Sequence, residues 1–290
     1  MQLRALQLLG VLMVMFALLA APSTTDTAVA SSRRHRPATS TPTPVPVKTP
    51  TPLPVGSGYW IPPQNTEWQW QLTGSVDTSL NVSLYDIDLF DNDASVVNSL
   101  HSSGRHVFCY LDAGTWENWR PDAAAFPASV LGSSNGWPGE RWLDIRNLAA
   151  LGSIMQARLD LCKARGFDGV EFDNVDGYTN STGLPLSAQD QLTYNTWLAA
   201  QAHARSLSAG LKNDVDQVQA LQPHFDWMLD EQCFQYNECS TLLPFIQAGK
   251  AVFEVEYSLS TNQFCAQANA LNFNSMKKNK SLDAARTPCR

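Results

Sequence analysis

Short apolar runs recur along the chain from position 68 onward, and between them apolar residues repeat at helical rather than alternating spacing. The runs predict strands at 68–72, 83–89, 106–112, 169–173, 210–213, 227–231, 251–257 and 282–285. The stretches between them predict helices at 95–102, 148–165, 188–208 and 215–221. In the second of these, Leu148, Leu151, Met155, Leu159 and Cys162 form one apolar stripe. Strands alternating with helices make a parallel sheet, and eight such strands close into an α/β fold, a TIM-type (β/α)8 barrel. The 232 residues at 59–290 suit a barrel that takes ~250.

The first 58 residues follow neither pattern. Arg4 precedes an apolar run at 8–21, and small residues follow it down to Ala28-Val29-Ala30, so residues 1–30 read as a secretory signal peptide. The run is shorter than the ~20 residues of a membrane span, the alternative being an uncleaved anchor. Residues 31–58 are rich in Pro and Thr and cannot bury enough apolar surface to fold, so they read as an extended linker, bare or O-glycosylated. The folded part is expected at 59–290, secreted and extracellular, with no stable membrane insertion once the leader is cleaved, and monomeric.

Charge narrows the range of partners. The whole chain carries a net −7, but positions 31–58 hold Arg33, Arg34, Arg36 and Lys48 with no acid. From Tyr59 onward fifteen basic residues face twenty-six acidic ones, a net of −11. A domain so acidic excludes nucleic acid as partner and favours neutral or cationic ligands. Cys109, Cys162, Cys233, Cys239, Cys265 and Cys289 all lie in this part, and an even number in an exported chain predicts three disulfides. Cys233 and Cys239 are close enough to close a small loop. Cys109 with Cys162 and Cys265 with Cys289 is then the simplest remaining pairing among the fifteen connectivities possible. Asn81, Asn180 and Asn279 each open an N-glycosylation triplet.

Several predicted strands finish in acid or amide: Asp88, Asp112, Asp173 with Asn174, Asn213, Asp230 with Glu231, and Glu256. The C-terminal ends of barrel strands form the active face, so these groups would converge there from distant parts of the chain. Singly, each reads equally well as a cap for the following helix. Together with Trp60, Tyr110, Trp116, Trp119, Tyr178, Tyr236 and Tyr257, they suit glycosidic bond cleavage, in which two carboxyl groups flank the bond and aromatic faces stack on sugar rings. Part of that aromatic set belongs to the core. There is no Gly-x-Ser-x-Gly elbow, no Gly-rich phosphate loop and no paired His spacing, so neither a cofactor nor a metal is expected. Asp173-Asn-Val-Asp-Gly looks like the start of a calcium loop, but Val175 stands where a ligand oxygen is required.

The same residues carry a family likeness. GFDGVEFDNVDGY at 166–178, CYLDAGTWENWRPD at 109–122, WPGERWLDIR at 137–146, GLKN at 210–213, DEQCFQYNEC at 230–239 and GKAVFEVEY at 249–257 appear in order over some two hundred residues. This set of blocks resembles the endo-α-1,4-polygalactosaminidase family of glycoside hydrolases, whose members have a TIM-type barrel and cleave α-1,4-linked galactosamine polymers.

That resemblance implies Asp173 and Glu231 as the catalytic carboxylates, Asp173 as nucleophile and Glu231 as acid/base. Exchanged roles and an inverting course both remain open. It also implies that Asp112, Asn174, Lys212, Asn213, Tyr236 and Glu256 line the substrate groove. Lys212 reads equally as the cation that neutralises a buried acid. The implied substrate, a galactosamine-containing polysaccharide, is polycationic where its amines are free, which agrees with the acidic domain. The alternatives are a polysaccharide-binding barrel with an idle site, against which the two retained acids count, and a glycosidase of different sugar specificity.

Overall fold

The computed structural model describes residues 58–290; the expected leader and nearly all of the linker lie outside the described residues. The chain opens with β1 (Trp68–Gln71), β2 (Leu84–Asp88), α1 (Ala94–Ser102) and β3 (His106–Asp112). An insertion then contributes β4 (Thr115–Glu117), β5 (Leu131–Ser134) and β6 (Glu140–Leu143), which pair antiparallel as a separate small sheet in the order β4-β6-β5. The barrel resumes with α2 (Leu148–Ala164), β7 (Gly169–Asp173), α3 (Ala188–His203), β8 (Ser208–Lys212), α4 (Val218–Leu221) and β9 (Trp227–Glu231). It finishes with α5 (Cys233–Tyr236), α6 (Leu243–Gln247), β10 (Val252–Glu256), α7 (Thr261–Ala270), β11 (Asn274–Lys278) and β12 (Arg286–Pro288).

Strands β1-β2-β3-β7-β8-β9-β10-β11 pair parallel in that order, and β12 adds an antiparallel ninth at the end. The seam between β1 and β11 is bridged by side chains and a loop: the Trp68 indole donates to the Asn274 carbonyl at 2.8 Å, and the Leu72 amide donates to the Leu282 carbonyl at 2.9 Å. The fold is therefore the TIM-type barrel expected from the alternating pattern.

Two apolar clusters follow from strand alternation, which sends successive side chains to opposite faces. Trp68, Trp70, Leu84, Phe108, Trp227, Leu229, Phe253, Val255 and Met276 fill the barrel interior, while a larger cluster including Tyr85, Ile87, Cys109, Val170, Leu211 and Met228 packs between strands and helices. Trp227 stacks on Phe108 at 4.5 Å. Its ring needs Gly210 beside it, because a Cβ there would sit 2.2 Å from the indole.

The helix ends are chemically marked. Asp93 caps α1, Asn147 caps α2, and Ser187 with Asp190 forms a capping box on α3. Disulfides join β3 to α2 through Cys109–Cys162, close the turn after β9 through Cys233–Cys239, and tie α7 to the chain end through Cys265–Cys289. All three expected pairings are present.

Two expectations need correction. The eighth barrel strand is β11, not 282–285, a segment that instead lies as a loop against β1, with the Gln69 amide donating to the Ala284 carbonyl at 2.9 Å. β11 reads Asn-Ser-Met-Lys-Lys, a composition poor in strand formers, and pairing with β10 and β12 makes it a strand. The helix expected at 188–208 stops at His203, because Ser208 already pairs with Gly169 as the start of β8.

Candidate active site

At the C-terminal mouth of the barrel, β7, β8 and β9 end side by side and deliver Asp173, Lys212 and Glu231. Lys212 is 2% exposed, and its ammonium lies 2.9 Å from Asp173 Oδ1, 3.2 Å from Glu231 Oε2 and 3.1 Å from Glu171 Oε1. The same nitrogen stands 4.7 Å over the Trp70 ring. Burial alone would push this lysine toward the neutral form, but the surrounding carboxylates hold its pKa well above the ordinary value. It is a fixed positive charge that binds two strand-end acids together.

Asp173 is held from both sides. Burial opposes its charge, but Lys212 on Oδ1 and the Tyr110 hydroxyl donating to Oδ2 at 2.8 Å prevail and keep its pKa below the ordinary carboxylate value. Glu231 accepts from the Tyr257 hydroxyl on Oε1 and from Asn213 Nδ2 at 3.4 Å on Oε2, while Asn213 Oδ1 accepts from the Glu231 amide at 3.0 Å. Asn213 adopts a left-handed backbone, φ 49°, which suits an amide residue at a turn directly after a strand. Both carboxyl groups keep some access to solvent, with side-chain exposures of 19% and 25%.

Asn174, also left-handed at φ 57°, donates to Asp112 Oδ2 at 2.7 Å and to Asp173 Oδ2 at 3.4 Å. Its carbonyl crowds Gly114, where an added Cβ would come within 1.7 Å of the Asn174 oxygen, so no side chain fits there. Tyr236 stands on α5 beyond Glu231 and is 40% exposed.

Asp112 and Glu256, both expected in the groove lining, are buried behind the mouth. Asp112 is 1% exposed; its Oδ1 accepts from the Gly114 and Thr115 amides at 3.1 and 2.6 Å, and its Oδ2 is shared by the Thr115 hydroxyl and Asn174. Glu256, fully buried, accepts from the Phe234 and Gln235 amides at 3.0 Å each and so caps α5. Asp88, another strand-end acid, is taken up by the buried Arg120 at 2.6 and 3.0 Å, which also meets Glu117 at 2.7 Å and fastens the insertion to the barrel. These three acids support the site from behind.

The reading from sequence did not single out Asp86, Glu171 and Trp70, which lie one layer deeper. The signal was present: Asp86 and Asp88 on β2, like Glu171 and Asp173 on β7, are two apart and share the inward face. It also did not single out Glu140 on β6, whose carboxyl contacts Thr115 Oγ1 at 3.3 Å and Asn135, and whose pKa burial raises to about 7. Trp137, beside it in the insertion, is 62% exposed. Among the described residues no group of His, Cys, Asp and Glu is arranged to hold a metal ion.

A parallel barrel with acids clustered at its C-terminal mouth has the makings of a barrel glycoside hydrolase. The chain belongs to glycoside hydrolase family GH114, whose profile matches residues 49–290, in agreement with the likeness of the sequence blocks. It is similar to the crystal structure of Aspergillus fumigatus Ega3 in complex with galactosamine, with 42% identity and a TM-score of 0.75 over 79% of this chain and 97% of that one. The glycoside hydrolase domain of PelA from Pseudomonas aeruginosa shares the fold, with a TM-score of 0.61 at 11% identity over 78% of this chain and 98% of that one. An uncharacterized protein of Deinococcus radiodurans is 31% identical over 156 residues, 48% of this chain, and the chain spans only half of that relative's length.

Proposed function

We propose that this protein is a secreted, endo-acting glycoside hydrolase that cleaves α-1,4-linked galactosamine polysaccharide, with Asp173 as nucleophile and Glu231 as acid/base. The observation that carries this reading is the Lys212 ammonium seated between the two carboxyl groups. Two oxygens on one nitrogen, at 2.9 and 3.2 Å, lie at most about 6 Å apart. A nucleophilic Asp173 calls for a retaining course, whose two carboxyl groups stand ~5–5.5 Å apart, against the ~6.5–9.5 Å by which an inverting pair admits a water.

In the first step Asp173, kept ionised by Lys212 and Tyr110, attacks the anomeric carbon while Glu231 gives its proton to the departing glycosidic oxygen. Negative charge leaves Asp173 as the ester forms and appears on Glu231. Lys212 already touches both, so the charge moves from one side of a fixed cation to the other without reorganisation. In the second step Glu231 takes a proton from water, which attacks the ester and restores Asp173. Tyr257 and Asn213 hold the Glu231 carboxyl in orientation throughout.

Substrate class follows from charge and likeness together. A domain of net −11 draws in a polycation, and the similar Ega3 was solved with galactosamine. Export through residues 1–30, a linker at 31–58 and a monomeric domain from Tyr59 onward belong to the same proposal. Three disulfides support an oxidising compartment, and no helix among the described residues is long and apolar enough to cross a membrane. The test is release of oligosaccharides from an α-1,4-galactosamine polymer by the wild type, with Asp173→Asn and Glu231→Gln each at least a thousandfold slower but still binding. Activity of either variant within about tenfold of wild type removes that residue from the chemistry. Tight binding by a wild type that releases nothing turns the reading into a binding barrel.

A further inference from the structure

Beneath Lys212 the barrel interior contains a second pair of carboxyl groups. Trp70 and Asp86 are partners in the β1–β2 register, and both side chains reach Glu171 on β7. The Trp70 indole donates to Glu171 Oε2 at 3.0 Å, and Glu171 Oε1 meets Lys212 Nζ at 3.1 Å. Asp86 lies against Glu171, and no other protein group among the described residues reaches its oxygens. All four side chains are sealed from solvent, at 2% exposure or less.

A contact between two carboxyl groups is a hydrogen bond only when one carries a proton, and two buried carboxylates side by side cannot both ionise. The charges in reach support a single proton here. Lys212 is the one ammonium, and it already faces Asp173 and Glu231 as well as Glu171. The groups surrounding the pair are Trp70 on β1, Tyr110 on β3, Asp173 on Glu171's own strand β7, Lys212 on β8, Glu231 on β9 and Tyr257 just after β10; β11 presents Met276.

We infer that Asp86 and Glu171 share one proton, Asp86 as its donor, and that the resulting single negative charge on Glu171 anchors Lys212 from below between Asp173 and Glu231. Both are positioning residues that act through Lys212, and neither touches substrate. Burial and the facing carboxylate push Asp86 well above its ordinary pKa; burial raises Glu171 too, but the Lys212 ammonium beside it opposes that rise. The acid that donates is therefore the one without the cation.

This inference rests on the Asp173 and Glu231 assignment, and the experiment separates the two. Asp86→Asn replaces a neutral acid by a neutral amide that still donates to Glu171. It should keep kcat within about threefold and leave the pH profile of kcat in place. Glu171→Gln removes the charge below Lys212. It should lower kcat about a hundredfold with KM unchanged, and it should move both limbs of the profile to lower pH by about one unit, because a nearby negative charge has gone. An infrared difference spectrum of wild type against Asp86→Asn at neutral pH should show the loss of one protonated-carboxyl band, a readout that stands even if Glu171→Gln does not fold. A profile displaced in Asp86→Asn, an unmoved profile in folded Glu171→Gln, or no lost band overturns the shared proton. Full activity of Asp173→Asn or Glu231→Gln in the same assay would sink the catalytic assignment instead.

Discussion

Replacing Lys212 by Met tests whether one buried cation organises the site. The substitution keeps the length of the side chain and removes its charge, leaving Glu171, Asp173 and Glu231 without the ammonium that stands 2.9 to 3.2 Å from each. Taking one partner from a buried ion pair costs about 3–5 kcal/mol, because the remaining charge stays buried and uncompensated. For a domain of this size a kcal/mol is worth ~2–4 °C, so Lys212→Met should melt about 10 °C lower at pH 8. The deficit must depend on pH in one direction. Lys212 has a raised pKa, so its own contribution is complete at every pH below its ordinary value and does not vary between pH 4.5 and 8. Asp173, with its pKa lowered in the native fold, contributes stability above its ordinary carboxylate range and loses it as pH falls. In the variant that lowering is lost, and the orphaned carboxyl groups shed their charge on mild acidification, so the gap to wild type should narrow to a few degrees at pH 4.5. Thermal melts of both proteins from pH 4.5 to 8, with polymer hydrolysis falling at least a hundredfold in parallel, make the check. A deficit that stays constant or widens toward pH 4.5 would refute the neutralising role of Lys212.

Three further outcomes follow from the same structure. Hydrolysis of a free-amine galactosamine polymer should slow as salt rises toward 0.15 M, where electrostatic reach has shrunk to about 8 Å, and full N-acetylation should slow it too; equal or faster cleavage of the acetylated polymer would defeat the charge argument alone. Removing Cys109–Cys162 by a double Ser substitution opens a loop with a sequence separation of 53, and chain entropy puts the loss at about 4 kcal/mol, measurable by urea unfolding. Gly114→Ala forces a Cβ into the Asn174 carbonyl, so it should destabilise by about 1–3 kcal/mol and depress kcat through Asp173, whereas a variant with wild-type melting and activity would contradict the close approach.

The barrel was legible because its strands are locally marked. His106–Asp112, Gly169–Asp173 and Trp227–Glu231 begin and end where their apolar runs do. β11 was not legible, since Asn-Ser-Met-Lys-Lys carries one barrel-facing apolar side chain and becomes a strand by pairing between β10 and β12. The insertion sheet was hidden for a similar reason: β4 to β6 are three or four residues each and exist through their mutual pairing and through Arg120 and Asp88.

Which residues share the C-terminal face was readable from their places at strand ends, because a parallel barrel brings every strand's C-terminal end to one face. Their division of labour was not. Asp112, Asp173, Glu231 and Glu256 are equivalent as letters at the ends of strands. What separates them is what stands within about 3.2 Å: backbone amides turn Asp112 and Glu256 into caps, and a buried ammonium turns Asp173 and Glu231 into a pair. Local sequence determines which side chains point to the mouth, since alternation along a strand is a property of the backbone. Which of them remain open to a substrate is decided by loops returning from elsewhere in the chain, since whether a carboxylate is capped, paired or exposed depends on neighbours that only the closed barrel supplies.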